Sequence, residues 1–357
     1  MEKIIFSPST YIQGTNKISN LQKYVKDLGK DKVYIITDEF IYNNYKDKIV
    51  KSFEENNIKY NLVIFNSECC FEEIEKYKQL AKDYNIIIGI GGGKVLDFSK
   101  AVSYYTDYPV IIVPTVASKD ASCSRLSAIY TKEGQFLQYI TLRNSPNIVL
   151  VDIDIIIKAP VRFLIAGIGD ALSTYYETEA CYKSNSKTMT GGYVTNYILT
   201  LSKLCKDTLL KNSEKAINDL KEGVYSKELE EIIEANIYLS GIGFENGGLS
   251  VAHALHNGLN TLKDSYKSLH GEKIAFTTII QLALENREEL KDIINFCKKI
   301  GLPTNLKELG IDDITDKELI EVIKVSFDEK YTIKNVPFKI TEESVLNAIK
   351  LVESLKE

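Results

Sequence analysis

The amino-acid sequence predicts an α/β domain with a parallel sheet, followed by an all-α domain. Two features of the chain support this prediction. In the first part, short apolar runs alternate with amphipathic stretches rich in Lys and Glu, which is typical of buried parallel strands covered by helices. Between Pro160 and Pro303 the chain has no other proline and shows helical periodicity. We therefore predict two domains, residues 1–160 and residues 161–357.

Composition and charge narrow the classes of function. The 357 residues are 44% hydrophobic and 26% charged, with a formal net charge of -5. Since no long basic run occurs, we expect neither nucleic acid nor an anionic membrane as a partner. The N-terminus lacks an apolar signal segment and no apolar run is long enough to span a bilayer, so we expect a cytoplasmic protein. The six cysteines include no Cys-x-x-Cys pair and are expected to be reduced thiols.

The predicted elements follow one another in a regular order. Runs of β-branched and aromatic residues predict strands over 32–37, 59–65, 85–90, 110–113 and 148–151. Apolar residues at helical spacing predict helices between them, over 42–54, 71–83 and 95–104. Residues 130–143, with a Lys-Glu-Gly turn in the middle, predict a β-hairpin beside the main sheet. The second domain is predicted to be helical, as over 227–239.

A glycine-rich turn follows the strand predicted at 85–90, in the sequence GIGGGK, which contains Gly91, Gly92 and Gly93 and ends at Lys94. Glycines at a strand-to-helix turn let backbone N–H groups approach a phosphate, and a helix N-terminus favours negative charge. The spacing matches neither the usual dinucleotide fingerprint nor a P-loop. We interpret the turn as a candidate pyrophosphate site. The alternative is a tight turn that only needs a positive φ.

Asp38 directly follows the first predicted strand. A carboxylate at this point can accept hydrogen bonds from an adenosine ribose and repels a 2′-phosphate, which favours NAD over NADP as the cofactor. An Asp that only caps the next helix fits the sequence equally well.

The histidines indicate a metal site. The chain has three of them, His253, His256 and His270, all in one short segment. His253 and His256 are spaced i, i+3, so a helix over 251–262 places both on one face. Neutral imidazoles gathered in this way indicate a divalent metal, with a carboxylate as a further ligand. Our candidate is Asp170 in GIGDA, interpreted as an Asp that opens a helix between glycines; an ordinary N-cap is the alternative.

The segment PTVASKDASCS follows the strand predicted at 110–113. Ligands of parallel sheets bind at the carboxyl ends of the strands, which is where these small hydroxyl residues lie. Asp120, within the segment, is a candidate to hold a substrate hydroxyl. From spacing alone, a polar loop with Asp120 as a helix cap is the simpler interpretation.

Five segments carry a resemblance to a known family: GIGGGKVLDFSKAV, VPTVASKDASCSRLSAIYT, APVRFLIAGIGDALSTYYE, ANIYLSGIGFENGGLSVAHALHNGL and HGEKIAF. Together they resemble the glycerol dehydrogenase branch of the metal-dependent (iron-containing type) alcohol dehydrogenase family, to which dehydroquinate synthase is similar. The resemblance implies an N-terminal nucleotide-binding α/β domain, an all-α C-terminal domain and an active site in the interdomain cleft. Relatives in this branch are commonly octamers or other homo-oligomers.

The resemblance also implies roles for single residues. Asp170, His253 and His270 match the family's metal ligands, and the metal in this branch is usually zinc, with another divalent ion such as Fe²⁺ as the alternative. Asp120 matches the glycerol contact. The positions matching the NAD contacts are Asp38, Gly93, Lys94, Asp97, Thr115, Ser118, Ser124, Leu126 and Tyr130, to which the glycine-rich turn adds Gly91 and Gly92.

The predicted reaction is the NAD-dependent and zinc-dependent oxidation of a vicinal diol, with glycerol to dihydroxyacetone as the default. Zinc would lower the pKa of the hydroxyl to be oxidised, and a hydride would pass to the nicotinamide. His256 is interpreted as a proton relay, with support of a metal ligand or simple packing as the alternatives.

Three cations depart from the usual pattern of this branch: Lys119, Arg125 and Lys334. Close to the diol they would favour an anionic substrate, as in a glycerol-phosphate or other anionic-polyol dehydrogenase. Alternatively, they point to solvent or Arg125 contacts the cofactor pyrophosphate. A carbon–oxygen lyase like dehydroquinate synthase, which would form no net NADH, is a further alternative.

Overall fold

The computed structural model describes residues 1–312 and 314–355, and of Asp264 the backbone only. The chain divides into two compact units. The sheet unit consists of Phe6–Ala117 and Ala121–Pro160, and the helical unit of Met1–Ile5, Ser118–Asp120 and Val161–Glu357. The division into two units does not test the predicted ligands, so NAD binding by the first domain and metal binding by the second stay predictions.

Parallel strands form the centre of the sheet unit. They are β1 (Thr10–Gly14), β2 (Lys32–Thr37), β3 (Lys59–Ile64), β4 (Ile86–Gly91), β5 (Val110–Pro114) and β8 (Ile148–Asp152). Within the described residues these six strands pair in the order β1-β8-β5-β4-β2-β3, all parallel. Strands β4, β5 and β8 are buried along their whole length, which explains their continuous apolar sequences. The five predicted strands are thereby confirmed.

Strand β1 was not predicted, because its residues TYIQG form a short, half-buried run that ends in a polar Gln and a Gly. The predicted hairpin is present but begins earlier than expected. Strand β6 (Leu126–Tyr130) pairs antiparallel with β7 (Phe136–Thr141), so the first strand begins four residues before the predicted position 130. The helices that cover the sheet unit are α1 (Leu21–Asp27), α2 (Glu39–Glu54), α3 (Phe71–Leu80), α4 (Gly93–Thr106) and α5 (Ile153–Ile156).

The helical unit contains the two longest described helices, α6 (Val161–Ser184) and α7 (Asn196–Glu222). The α-helices that follow them are α8 (Lys227–Glu234), α9 (Ser240–Gly247), α10 (Val251–Leu259), α11 (His270–Leu284), α12 (Leu290–Ile300), α13 (Asp316–Ser326) and α14 (Glu342–Ser354). A π-helical turn, Ala235–Leu239, lies between α8 and α9. A parallel sheet with helices followed by a helical remainder confirms the predicted fold class. No helix in the described part of the chain meets the length and apolarity that a membrane span requires.

Candidate functional site

Helices α6 and α11 meet through their backbones. A Cβ atom added to Gly271 would lie 1.8 Å from the carbonyl oxygen of Ala166, and one added to Gly169 would lie 2.4 Å from the carbonyl oxygen of Gly271. Only glycine permits so close an approach at these two positions. The crossing places Asp170, which follows Gly169, beside His270, which precedes Gly271. The distance from Asp170 Oδ1 to His270 Nε2 is 3.1 Å.

The position of Asp170 corrects the sequence analysis. Asp170 lies in the interior of α6, which runs without a break over Val161–Ser184, so it neither opens a helix nor acts as an N-cap. The glycine that precedes it was interpreted as a helix boundary. Gly169 instead provides the space in which α11 packs, and this keeps Asp170 buried, with 1% of its surface exposed.

Asp170, His253 and His270 converge on one point. One ligand atom from each of them lies within 4.8 Å of the others, and the distance from His253 Nε2 to Asp170 Oδ1 is 3.8 Å. Asp170 Oδ1 is buried and, although His270 Nε2 lies 3.1 Å away, it accepts no hydrogen bond of regular geometry from the described residues. A buried carboxylate oxygen that accepts no hydrogen bond is costly, and two imidazoles with one carboxylate are a common ligand set for a divalent metal. The residues present therefore fit such an ion.

Glu177 orients His253 and was missed by the sequence analysis. Its Oε2 lies 2.6 Å from His253 Nδ1, while its Oε1 accepts the backbone N–H groups of Ser250 at 2.8 Å and His253 at 3.0 Å. Glu177 thus fixes both the imidazole and the first turn of α10. A hydrogen-bonded Nδ1 leaves Nε2 to face the cluster. The available signal was the spacing between Asp170 and Glu177, seven residues apart and so on one face of α6.

His256 contacts His270 rather than joining the cluster. The distance from His256 Nε2 to His270 Nδ1 is 3.0 Å, and Asn260 Nδ2 lies 3.3 Å from the same His256 nitrogen. Lys273 Nζ donates to Asn260 Oδ1 at 2.5 Å. His253 and His256 share α10, as predicted, but serve different neighbours. This geometry suits the support of a metal ligand, and the proton relay stays a prediction.

Burial and neighbouring charges shift the pKa values of the three clustered residues and of His256. Burial alone lowers the pKa of His253, but the Glu177 carboxylate and then Asp170 raise it to about 9. Burial lowers the pKa of His270 to about 4 despite the opposing effect of Asp170. For Asp170, burial raises the pKa, yet His270 and His253 outweigh it and the net direction is downward. Burial and the neighbouring His270 hold the pKa of His256 well below its ordinary value.

Asp120 lies beside this cluster. Its backbone N–H donates to Asp170 Oδ2 at 3.2 Å, and its own Oδ2 accepts the hydroxyl of Ser240 at 3.1 Å. The side chain is buried. Burial and then the charge of Asp170 raise the pKa of Asp120 well above its ordinary value. The simpler interpretation of Asp120 as a helix cap is wrong for the described helices, since none of them begins there.

The glycine-rich turn begins in the sheet unit where β4 ends at Gly91. Gly92 is the N-cap of α4 with a φ of -79°, so the alternative of a turn that needs positive φ is wrong. A Cβ added to Gly92 or Gly93 would meet no atom of the described residues within 4 Å. The space beside these residues, at the N-terminus of α4, is therefore open, which fits a phosphate of a dinucleotide. These residues provide the room that NAD would need.

Asp38 caps a helix, as the alternative interpretation of this residue predicted. Its Oδ1 accepts the N–H of Ile41 at 2.9 Å, so it is the N-cap of α2. Its other oxygen, Oδ2, lies 2.9 Å from the point where a Cβ of Gly91 would be. One carboxylate oxygen of Asp38 therefore caps α2, and the other lies next to the glycine-rich turn. Asp38 and this turn are neighbours in the structure.

Other predicted cofactor residues lie in α4, in β6 and in the segment between β5 and β6. The N–H of Thr115 donates to the carbonyl of Gly91 at 3.1 Å. Lys100 is fully buried, and its ammonium lies 3.0 Å from Asp97 Oδ1 and donates to the carbonyl oxygens of Ala121 and Leu126. The remaining positions are Lys94, paired with Glu68 at 2.5 Å, Ser124, which donates to Ala121, Tyr130 at the end of β6, and Ser118, assigned to the helical unit.

The three unusual cations have different surroundings. Arg125 is buried, with its guanidinium carbon 3.4 Å from the centre of the Phe6 ring, so the expectation that it points to solvent is wrong. Lys119 and Lys334 are exposed. Burial lowers the pKa of Lys273 to about 8, and the charge of Lys119 acts in the same direction. Lys119 directly precedes Asp120, whose N–H donates to Asp170, so its charge lies near the predicted metal ligands.

Comparisons with known proteins agree with this arrangement. A family model described as iron-containing alcohol dehydrogenase matches residues 8–153. The chain is 44% identical to a glycerol dehydrogenase of Citrobacter freundii, over 98% of this chain and 96% of the relative. It is 42% identical to a glycerol dehydrogenase of Thermotoga maritima, over 97% and 95%. The crystal structure of glycerol dehydrogenase from Schizosaccharomyces pombe matches with a TM-score of 0.95 and 39% identity, covering 99% of this chain and 91% of that chain.

Proposed function

The chain belongs to the iron-containing alcohol dehydrogenase family, and we propose that it is a polyol dehydrogenase that oxidises glycerol to dihydroxyacetone with NAD. The observation that carries this proposal is the cluster of Asp170, His253 and His270, in which the Nε2 atoms of both imidazoles lie within 3.8 Å of one buried carboxylate oxygen. Similarity to glycerol dehydrogenases over nearly the whole chain supports glycerol as the substrate. It does not favour a phosphorylated substrate or a lyase reaction.

Asp170, His253 and His270 would hold the metal, which we propose to be Zn²⁺. When bound, a divalent ion supplies a Lewis acid that lowers the pKa of a substrate hydroxyl. The chain's own residues prepare the ligands. Glu177 holds His253 through Nδ1, and His256 contacts Nδ1 of His270, so both imidazoles direct Nε2 to the cluster.

Asp120 would bind a hydroxyl of the substrate. Its backbone is fixed by the hydrogen bond from its N–H to Asp170, and its carboxylate lies next to the metal ligands. A carboxylate accepts hydrogen bonds from hydroxyl groups, so it selects a polyol over a simple alcohol that lacks the second hydroxyl. Positioning the diol in this way lowers the entropic cost of reaching the reactive geometry.

The glycine-rich turn would hold the cofactor pyrophosphate through the N–H groups of Gly92 and Gly93. Asp38 would accept the ribose hydroxyls with the oxygen that does not cap α2, and its charge would repel a 2′-phosphate. The cofactor, when bound, accepts the hydride that the alcohol carbon loses. Asp97, Thr115, Ser118, Ser124, Leu126 and Tyr130 are proposed as its further contacts, with Lys94 and Gly91.

The test is NADH formation at alkaline pH by zinc-loaded protein, with glycerol and glycerol 1-phosphate assayed in parallel. We expect oxidation of glycerol that a chelator abolishes and zinc restores, with little activity on the phosphate. Asp170→Asn should remove both metal retention and activity. NADH formation with the phosphate alone, or none with glycerol, would contradict the proposal.

We further propose that the protein is a cytoplasmic homo-oligomer, by analogy with the branch it resembles. Sedimentation analysis of the purified chain tests the assembly, and fractionation of the cells that express it tests the location. A chain that sediments as a monomer at assay concentration would contradict the first of these proposals.

A further inference from the structure

An irregular helical turn lies just before Ser240, the residue whose hydroxyl contacts Asp120. Helix α8 ends at Glu234, and the π-helical turn Ala235–Leu239 follows; the N–H of Ser240 then donates to the carbonyl of Ala235, five residues back. One extra residue turns everything after it by about 100° around the helix axis. The orientation of Ser240 at the start of α9 therefore depends on this turn.

Ser240 takes part in a buried chain of hydroxyl groups. Its Oγ donates to Asp120 Oδ2 at 3.1 Å and lies 2.9 Å from Thr174 Oγ1. A serine hydroxyl has a single hydrogen, and Ser240 donates it in the hydrogen bond to the Asp120 carboxylate. In the contact with Thr174, the hydroxyl of Thr174 must therefore be the donor. Both hydroxyl residues are at most 1% exposed. The result is a directional chain from Thr174 through Ser240 to Asp120.

Helix α6 anchors Asp120 twice. Asp170 accepts the backbone N–H of Asp120, and Thr174, one turn further along the same helix, begins the hydroxyl chain that ends at the carboxylate. Gly243 permits this arrangement, because a Cβ at that position would lie 2.4 Å from Thr174 Cγ2. Helix α9 can thus approach α6 closely enough for the two hydroxyls to meet.

We propose that Ser240, supported by Thr174 and oriented by the π-helical turn, is a positioning residue that fixes the Asp120 carboxylate for a substrate hydroxyl. The proposal rests on the substrate-binding role proposed above for Asp120. Holding one carboxylate oxygen sets the rotation of the whole group, because its two oxygens are rigidly linked. Without Ser240, the carboxylate is free to rotate away from the substrate.

The experiment compares Ser240→Ala with wild type in the metal-loaded full chain. We expect kcat/KM for glycerol to fall by about 10-fold, in line with a lost hydrogen bond to a charged group, while KM for NAD and the metal content stay unchanged. Ser240→Thr retains the hydroxyl and should keep most of the activity. Thr174→Val, which keeps the side-chain volume, should give a smaller loss in the same parameter.

The chain offers a matched control in a second hydroxyl pair, which joins α7 to the same helix α6. Ser202 is fully buried and donates to Thr178 at 3.2 Å, so Ser202→Ala removes an equivalent hydroxyl from a pair that does not contact Asp120. Its effect on kcat/KM for glycerol should be less than about 2-fold. An equal loss in Ser202→Ala and Ser240→Ala would assign both to general packing and overturn the proposal.

A double-mutant cycle separates positioning from packing. In an Asp120→Ala background, Ser240→Ala should cause less than about a 2-fold further loss, because the side chain on which Ser240 acts is gone. The same 10-fold loss in both backgrounds would overturn the proposal. If Ser240→Ala does not fold, the cycle is run with Thr174→Val.

Glycerol binding to cobalt-substituted protein, followed by its visible spectrum, provides a readout without turnover. If glycerol leaves the wild-type spectrum unchanged and is not oxidised, the proposed function fails. If wild type and Ser240→Ala bind glycerol with the same affinity and turn it over equally, that function stands and the role of Ser240 is refuted.

Discussion

Glycine has opposite roles in the two units. In the helical unit, Gly271 and Gly169 lie where two helix backbones meet, and added Cβ atoms would be 1.8 Å and 2.4 Å from carbonyl oxygens. In the sheet unit, Gly92 and Gly93 face space in which a Cβ would meet nothing within 4 Å. The first pair brings side chains together, and the second leaves backbone N–H groups accessible. A glycine-rich motif therefore indicates a ligand only when the missing side chain would point into open space.

The largest effect is expected from Gly271→Ala in the helical unit. The new methyl group would overlap the carbonyl of Ala166, which is backbone and cannot rotate away, so α6 and α11 must separate. We expect a loss of roughly 3 kcal/mol or more in the free energy of unfolding, together with loss of bound metal. Urea unfolding and metal analysis measure the two effects. Normal metal content would show that the crossing does not set the ligand geometry.

Glu177→Gln tests whether the carboxylate of Glu177 orients the metal ligand His253. The amide oxygen can still accept hydrogen bonds from the N–H groups of Ser250 and His253. The NH₂ group of the amide, however, would face the N–H of His253 Nδ1, and two donors cannot form a hydrogen bond with each other. We expect metal affinity to fall by about 10- to 100-fold with the fold retained. Competition with a coloured chelator measures this affinity. Glu179→Gln, on the same helix and bonded to Arg287 instead, is the control and should leave it unchanged.

Gly93→Ala is the counterpart in the sheet unit. Because a Cβ meets nothing there, the fold should be retained, and Ala is favoured over Gly in a helix by up to about 1 kcal/mol. The methyl group would occupy space that the cofactor phosphate needs, so we expect KM for NAD to rise by about 10-fold without a lower melting temperature. An unchanged KM for NAD would show that this open space is not used by the cofactor.

The sequence allowed most strands and the metal-ligand cluster to be anticipated, since both leave strong local signals. Strands β4, β5 and β8 are almost entirely apolar, β2 and β3 are rich in β-branched and aromatic residues, and the histidines fall within a single segment. Half-buried β1 has no such signal. Asp170 was chosen as a ligand, but its helical context was misjudged, because a glycine that permits helix contact and one that ends a helix look alike in sequence. The spacing of Glu177 from Asp170 indicates a shared face of α6 but not the contact with His253, and the contact of Ser240 with Asp120 joins distant segments that no spacing reveals.

The smallest effect is expected from the burial of a charged lysine, which costs folding free energy unless the ammonium group is well paired. Each unit contains such a buried lysine. Lys100 in the sheet unit has Asp97 and two carbonyl oxygens around its ammonium, whereas Lys273 in the helical unit donates to the amide oxygen of Asn260. Burial, and then the charge of Lys119, lower the pKa of Lys273 to about 8, and Glu272 opposes them only weakly. Below pH 8 both folded and unfolded chains carry this proton, and the cost of burying it is fully present.

Above pH 8 the folded chain releases the Lys273 proton while the unfolded chain keeps it up to about pH 10.4, so this group makes stability rise with pH across that window. We expect Lys273→Met to remove the rise. Urea unfolding of wild type and variant at pH 7 and pH 10 measures the difference, and Lys291→Met, at an exposed lysine, is the control. If the wild type and Lys273→Met change in parallel between the two pH values, the buried ammonium carries no such cost, and the helical unit tolerates charge as well as the sheet unit does.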